Sequence, residues 1–312
     1  MLSIPGSVTN LRLSVGFGDG TGARVQTGLV PTFTDAYGIA ITYYVWPVES
    51  PRAVVQIAHG VGEHARRYTR LAESLNAAGY TVYADDHRGH GQTGLTQHGG
   101  DRQRLGRLGV GGMRAATAGV YRLSGIIRSA YPELPLVLLG HSWGSFLAQM
   151  IVNEHAADYA AVVLSGTAYR WPGYLDSGDL NRRHKHLGTS GVEWLSRDPA
   201  VAAAFVADPL TTMTPLAKLF GVREAARLFG RPAKGLPVDL PILMLVGDDD
   251  TVGGERSGLR LARSYVHRSG LRDVRLVVYP GARHEVFNET NRDEVVADLV
   301  AWLDERLPAR AH

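Results

Sequence analysis

Leu136-Val137-Leu138-Leu139-Gly140-His141-Ser142-Trp143-Gly144 decides the fold. A short apolar run ends in Gly-x-Ser-x-Gly, and beyond it Phe146, Leu147, Met150 and Ile151 recur at helical spacing. A buried strand that turns through such a pentapeptide into a helix forms a nucleophile elbow, which lifts a serine hydroxyl clear of the sheet. The two glycines fit because a side chain at either position would collide with the strand or the returning helix. Serine by itself is a poor nucleophile, so the reading requires a base and an orienting acid elsewhere in the chain.

Two more apolar runs supply candidates. Pro241 to Val246 runs into Gly247-Asp248-Asp249-Asp250-Thr251-Val252, and Val274 to Tyr279 runs into Pro280-Gly281-Ala282-Arg283-His284-Glu285. Both place polar residues at the carboxyl end of a strand, where open α/β sheets build their sites. The order Ser, then acid, then His is that of the α/β-hydrolase triad. Ser142 is thus the candidate nucleophile and His284 the base. Asp250 is chosen as the acid from its place in G-x-x-D-x-V, with the adjoining Asp248 and Asp249 as rivals.

A fourth strand candidate, Ala53 to Ala58, leads into His59-Gly60-Val61-Gly62-Glu63-His64. Acyl transfer needs donors aimed at the oxyanion, and this fold takes one from the residue after the nucleophile and one from the loop after the third strand. The backbone N–H groups of Trp143 and Val61 fill those roles. His59 and His64 could also suggest zinc, but their spacing suits no helix-borne ligand pair and there is no Cys to join them. Neither a metal nor a cofactor is expected.

With these residues in place, the chain resembles the monoacylglycerol lipase and lysophospholipase family of α/β-hydrolases. The resemblance rests on His59 to His64 followed by Arg67-Tyr68, on Asp86-His87-Arg88-Gly89-His90-Gly91, on Gly140 to Gly144, on Gly247 to Asp250 and on His284-Glu285. It covers roughly residues 38–306, with a distinct N-terminus and a poorly matching middle. Carried over by position, it implies Ser142 as nucleophile, Asp250 as acid, His284 as base, and Val61 and Trp143 as oxyanion donors. The chain departs from many relatives in having Trp143 for Met and Ser145 for Gly. The resemblance implies that the indole stands at the oxyanion wall and narrows the acyl site.

A chain of 312 residues, 45% hydrophobic and 20% charged, suits one soluble α/β domain carrying an insertion. A net charge of +3 with scattered arginines lacks the clustered basic and aromatic pattern of a nucleic-acid binder. No apolar run is long enough to span a bilayer, and Met1 to Gly6 lacks the features of a secretory signal. With no Cys at all, disulfides and cysteine catalysis are excluded, and the cytoplasm is the expected compartment. The densest basic stretch, Arg182-Arg183-His184-Lys185-His186, reads as a solvated loop, with weak contact to anionic lipid headgroups as its functional alternative.

The expected architecture is a mostly parallel sheet flanked by helices, in which strands and helices alternate. Strands are expected at 39–46, 53–58, 81–84, 136–139, 161–164, 241–246 and 274–279, and helices near 68–78, 113–130, 254–268 and 288–306. The stretch 85–107 reads as loop. Between Ser165 and Leu236 the alternation breaks among Trp171, Trp194, Phe205, Phe220 and five prolines. That segment is read as a helical cap inserted after the sixth strand. It divides the chain into a first core segment (residues 1–164), the cap (residues 165–236) and a second core segment (residues 237–312). A cap over the elbow supplies the concave apolar wall of a ligand pocket. The expected partner is therefore a small ester or lipid with an apolar acyl or aryl part. A carboxylesterase for small esters is the nearest alternative, an aminopeptidase-like hydrolase a third, and a non-catalytic binding protein on the same scaffold the alternative from another class.

Overall fold

The computed structural model describes residues 30–307, other than 177, 238 and 239. The opening Met1 to Gly6, read above for a signal, and the outer ends of the two core segments lie outside the described residues. Eight strands form one sheet in the order β1-β2-β4-β3-β5-β6-β7-β8. They are β1 (Thr32–Thr34), β2 (Ala40–Trp46), β3 (Ala53–Ala58), β4 (Tyr80–Asp85), β5 (Leu136–His141), β6 (Ala161–Ser165), β7 (Ile242–Gly247) and β8 (Val274–Tyr279). β2 pairs antiparallel with both β1 and β4, and every pairing from β4 onward through the sheet is parallel.

The helices are α1 (Thr69–Ala77), α2 (Gly91–Gln97), α3 (Gly112–Ala130), α4 (Trp143–His155), α5 (Pro199–Ala207), α6 (Leu216–Ala226), α7 (Gly254–Ser264) and α8 (Arg292–Arg306). All residues of β3, β5 and β7 are buried, the expected outcome when helices cover both faces of parallel strands. Alternate residues serve opposite cores: Leu136 and Leu138 of β5 pack with α3, α4 and α7, whereas Val137 and Leu139 pack with α1 and α8. Along α3, Met113, Ala116, Val120, Leu123 and Ile127 form the buried stripe.

Three local differences from the sequence reading have physical causes. The stretch 85–107 is not all loop: it holds α2 and a single 3-10 turn, Arg102–Arg104. The two glycines of α2 weaken helix propensity, but the Asp86 carboxylate accepts the Gln92 N–H at 2.7 Å and starts the helix from outside. No sequence pattern marks the edge strand β1, which is only three residues held by β2. The expected helix 288–306 begins later, at Arg292, after a 3-10 turn at Val286–Asn288.

Between β6 and β7 the chain leaves the sheet and packs across the loops at its carboxyl end. Here α5 is capped by Asp198, whose carboxylate accepts the Ala200 N–H at 3.0 Å with Pro199 in the first turn. α6 is interrupted at Gly221, which adopts φ 74° and ψ 163°. The rest of the insertion is turns and short 3-10 segments, so it is less helical than its apolar pattern suggested.

Candidate active site

Ser142 ends β5 and opens α4 with φ 51° and ψ −122°, the single non-glycine residue of positive φ among the described residues. Such a conformation is costly for a residue with a Cβ and is held only because the surrounding structure imposes it. Its neighbours leave no room for anything else. A Cβ on Gly140 would stand 2.5 Å from the Gly144 carbonyl oxygen, and one on Gly144 would overlap the carbonyls of Ala58 and His59. The turn is further held by the Ser142 N–H, which donates to the Ser165 carbonyl of β6 at 2.9 Å.

His284 and Asp250 come together at the same rim. His284 Nδ1 lies 3.0 Å from Asp250 Oδ1, both side chains being buried. A carboxylate cannot donate to this ring, so Nδ1 carries the proton and Nε2 is the lone-pair nitrogen. That Nε2 is buried without a hydrogen-bond partner. Burial disfavours the imidazolium, but the Asp250 carboxylate and its hydrogen bond more than offset this, and the pKa is raised above 6.5. Gly166, the residue after Ser165, packs against the base candidate: a Cβ there would stand 3.0 Å from His284 Cε1.

The three aspartates after β7 divide their work. Asp248 accepts the Gly281 N–H at 2.7 Å. Asp249 takes Arg183 at 2.8 Å and the His184 ring at 2.8 Å. Only Asp250 reaches His284. The basic stretch 182–186 is therefore not simply solvated, since His184 is buried against Asp249 while Arg182, Lys185 and His186 are exposed.

The two expected donor residues flank the serine. Trp143 is the first residue of α4, so its N–H is among those without an intrahelical acceptor. The Gly60–Val61 peptide lies against Ser142, because a Cβ on Gly60 would be 3.1 Å from Ser142 Cβ. The Trp143 indole is fully buried. It stacks at 5.1 Å on His90, meets Phe220 of α6 at 5.3 Å, and donates Nε1–H to Met113 Sδ at 3.2 Å. His59 uses both ring nitrogens within the protein, Nδ1–H toward the Gly60 carbonyl at 2.7 Å and Nε2 accepting the His87 N–H at 3.0 Å. His64 Nε2 lies 2.9 Å from Asp208 of the insertion.

A buried ionic bridge that the sequence reading did not assign ties these loops together. Glu63 Oε1 accepts the Gly60 N–H at 2.6 Å and the Tyr68 hydroxyl at 2.6 Å. Its other oxygen pairs with Arg67 at 2.5 Å, and Arg67 in turn grips Glu285 with two bonds of 2.7 and 2.9 Å. Burial alone would raise Glu285, but the Arg67 guanidinium holds it at about 2. Arg67, Tyr68 and Glu285 stood in the motifs, yet nothing in the spacing showed that they meet. Next to them, burial and the neighbouring His284 lower His141 to about 3, so its ring is neutral.

The insertion closes over this assembly. The Trp194 ring lies 4.8 Å from the His284 ring, the Glu285 N–H donates to the Leu195 carbonyl at 2.8 Å, and Thr212 N–H donates to the Gly62 carbonyl at 2.9 Å. Ser142 keeps 9% of its surface exposed and His284 1%, so water has little access to the imidazole. Among the described residues no helix is long and apolar enough to cross a membrane.

Comparison with known proteins adds a lineage to this geometry. Residues 49–291 match the family described as Serine aminopeptidase, S33. A monoacylglycerol lipase of Mycolicibacterium smegmatis is 36% identical over 289 residues, spanning 87% of this chain and 95% of that protein. The mouse monoglyceride lipase is 27% identical, spanning 90% and 92%. Among solved structures, a thermostable carboxyl esterase from Bacillus coagulans in complex with glycerol superposes with a TM-score of 0.77 at 27% identity, covering 89% of this chain and 98% of that one. The monoglyceride lipase of Saccharomyces cerevisiae shares the fold, with a TM-score of 0.69 at 22% identity over 92% and 99%.

Proposed function

This chain belongs to the Serine aminopeptidase, S33 family of α/β-hydrolases, in its monoacylglycerol lipase branch, and on that premise we propose that it is a serine ester hydrolase acting on monoacylglycerols or lysophospholipids. The observation that carries the reading is the His284–Asp250 pair, with an unpartnered Nε2, at the sheet edge that also holds the strained Ser142. In this reading Nε2 takes the Ser142 proton as the hydroxyl attacks the ester carbonyl carbon. The Val61 and Trp143 amides hold the oxyanion, and a donor of this kind contributes about 3–4 kcal/mol. The protonated His284 returns its proton to the leaving alcohol. Water, activated by the same nitrogen, then hydrolyses the acyl-enzyme, and Asp250 keeps the ring in its working tautomer throughout.

The substrate class follows from the similarity to monoacylglycerol lipases and from the apolar segment over the elbow, with residues 165–236 as the cap between the core segments of residues 1–164 and 237–312. Each buried methylene of an acyl chain contributes about 0.8 kcal/mol, so an apolar wall selects acyl or aryl esters. No cofactor takes part, since side chains and water supply every proton and electron pair. We place the enzyme in the cytoplasm, with weak membrane contact through the cap, where Arg182, Lys185 and His186 are exposed. A second reading, a carboxylesterase for small esters, draws on the likeness to the Bacillus coagulans enzyme. Two measurements test both readings. A fluorophosphonate probe must label the wild type and not Ser142→Ala. A series of monoacylglycerols, lysophospholipids and aryl esters must favour the glycerol lipids; a preference for short or aryl esters selects the esterase.

A further inference from the structure

Behind the elbow runs a second buried polar chain, separate from the Glu63–Arg67–Glu285 bridge. The Ser145 hydroxyl donates to the Ser142 carbonyl at 2.6 Å and lies 2.9 Å from Thr167 Oγ1. Thr167 Oγ1 accepts Gln149 Nε2–H at 3.0 Å, and Gln149 Oε1 accepts Arg170 Nε–H at 3.2 Å. Arg170 Nη1 donates to the Leu228 carbonyl at 2.7 Å, and its own carbonyl accepts the Gly230 N–H at 2.8 Å. Ser145, Thr167, Gln149 and Arg170 are all buried.

The location gives the chain its meaning. Residues 166–170 are where the polypeptide leaves β6 for the insertion, and 228–233 are where it comes back. Both roots therefore meet at Arg170. The elbow helix α4 grips the same place one turn further on, where Asn153 donates to the Arg231 carbonyl at 3.0 Å and accepts the Ala233 N–H at 2.7 Å. Arg170 forms no ion pair among the described residues, and its burial lowers it to about 10. An interior cation without a carboxylate is a poor stabilising device, so its hydrogen bonds point to a role other than stability.

We propose that Ser145, Thr167, Gln149 and Arg170 are positioning residues that fix the strained Ser142 elbow against the two roots of the cap, so that the hold at Leu228 and Gly230 is transmitted to the nucleophile. The inference rests on Ser142 being the nucleophile. Arg170 touches no reacting atom and acts only through the other three. A relay of this kind is interrupted once, whichever member is removed, and its losses do not multiply.

The test is a cycle of Ser145→Ala, Arg170→Met and the double variant, assayed with a short p-nitrophenyl ester and by thermal melting. Misplacing a nucleophile costs roughly tenfold to a hundredfold in rate. Each single variant should therefore lose at least about tenfold in kcat with KM within about twofold of wild type. The double variant should be no slower than the worse single, and the wild-type pH midpoint should be kept. Normal kcat in either folded single, or losses that multiply, would overturn the proposal even if only melting temperature moved. If Arg170→Met fails to fold, Thr167→Val takes its place in the cycle. Probe labelling of Ser142→Ala run alongside separates the outcomes: if that variant still labels, the nucleophile assignment has failed, and if it does not while the cycle is flat, only the relay has.

Discussion

Arg67 lays its guanidinium along the Glu285 carboxylate at 2.7 and 2.9 Å, one residue beyond His284, while the same guanidinium holds Glu63 of the loop beside Ser142. One buried cation thus joins the loop that carries His284 to the loop expected to carry an oxyanion donor. A bidentate Arg–carboxylate pair fixes orientation as well as distance.

Glu285→Gln should move the pH dependence of kcat/KM. The negative charges of Asp250, Glu285 and Glu63 all raise His284, against burial and with Arg67 and His141 nearby. As the proposed base His284 must be neutral to act, so the acid limb of the wild type should lie above the ordinary histidine value. Losing the Glu285 charge lowers that midpoint toward acid. A midpoint that stays put or rises would refute the electrostatic coupling.

The same variant should lose stability in a pH-dependent way. Glu285 has a folded pKa of about 2 against an ordinary 4.5, so its contribution is complete above 4.5 and fades as pH falls toward 2. Breaking a buried pair from one side costs roughly 3–5 kcal/mol. Urea denaturation at neutral pH should show a deficit of that order, and the gap to wild type should narrow through the acid window.

Asp250→Asn should reduce kcat by about 10⁴, because an amide lets the His284 ring settle in the wrong tautomer. Asp249→Asn should leave kcat within about tenfold of wild type and instead loosen Arg183 and His184. Steady-state kinetics of both variants decide the acid; equal losses would remove Asp250 from its assigned role.

Gly60→Ala places a methyl 2.7 Å from Glu63 Oε1 and 3.1 Å from Ser142 Cβ. Either the Glu63 contact with the Gly60 N–H or the elbow must shift, and kcat should fall by roughly tenfold to a hundredfold. Wild-type kcat in this variant would mean that the loop does not need its present approach to the serine.

Trp143→Ala removes a fully buried indole from between His90, Met113 and Phe220. The cost should be about 3–5 kcal/mol for a large core side chain. Because Phe220 belongs to α6 of the insertion between β6 and β7, the variant should also accept bulkier acyl groups relative to short ones. A chain-length profile identical to wild type would show that the indole does not bound the acyl site.

The apolar runs before Ser142, Asp248–Asp250 and His284 were long enough to name their strands, and the glycines after them named the turns. The ends of β5 and β7 could be read because burial on both faces leaves a continuous apolar signature that stops where the polar residues of the site begin. α2 and β1 left no such signature: one is a short glycine-weakened helix whose first turn is held by the Asp86 side chain, and the other is three residues held only by pairing with β2. Periodicity also named apolar residues of the insertion without showing how few of them lie in helices.

What the chain alone determined, then, was seven of the eight strands described, the elbow and the order of its candidate serine, acid and base, all of which are local patterns of burial and turn geometry. The fold decided which aspartate meets His284, that Arg67 bridges Glu63 and Glu285 across 218 residues, and that Ser145 is wired to Arg170. Those contacts gather at the carboxyl ends of the parallel strands, whose crossovers bring together side chains far apart in the chain. A residue's own surroundings in sequence record how deeply it is buried, and not which distant charge or hydroxyl shares its burial.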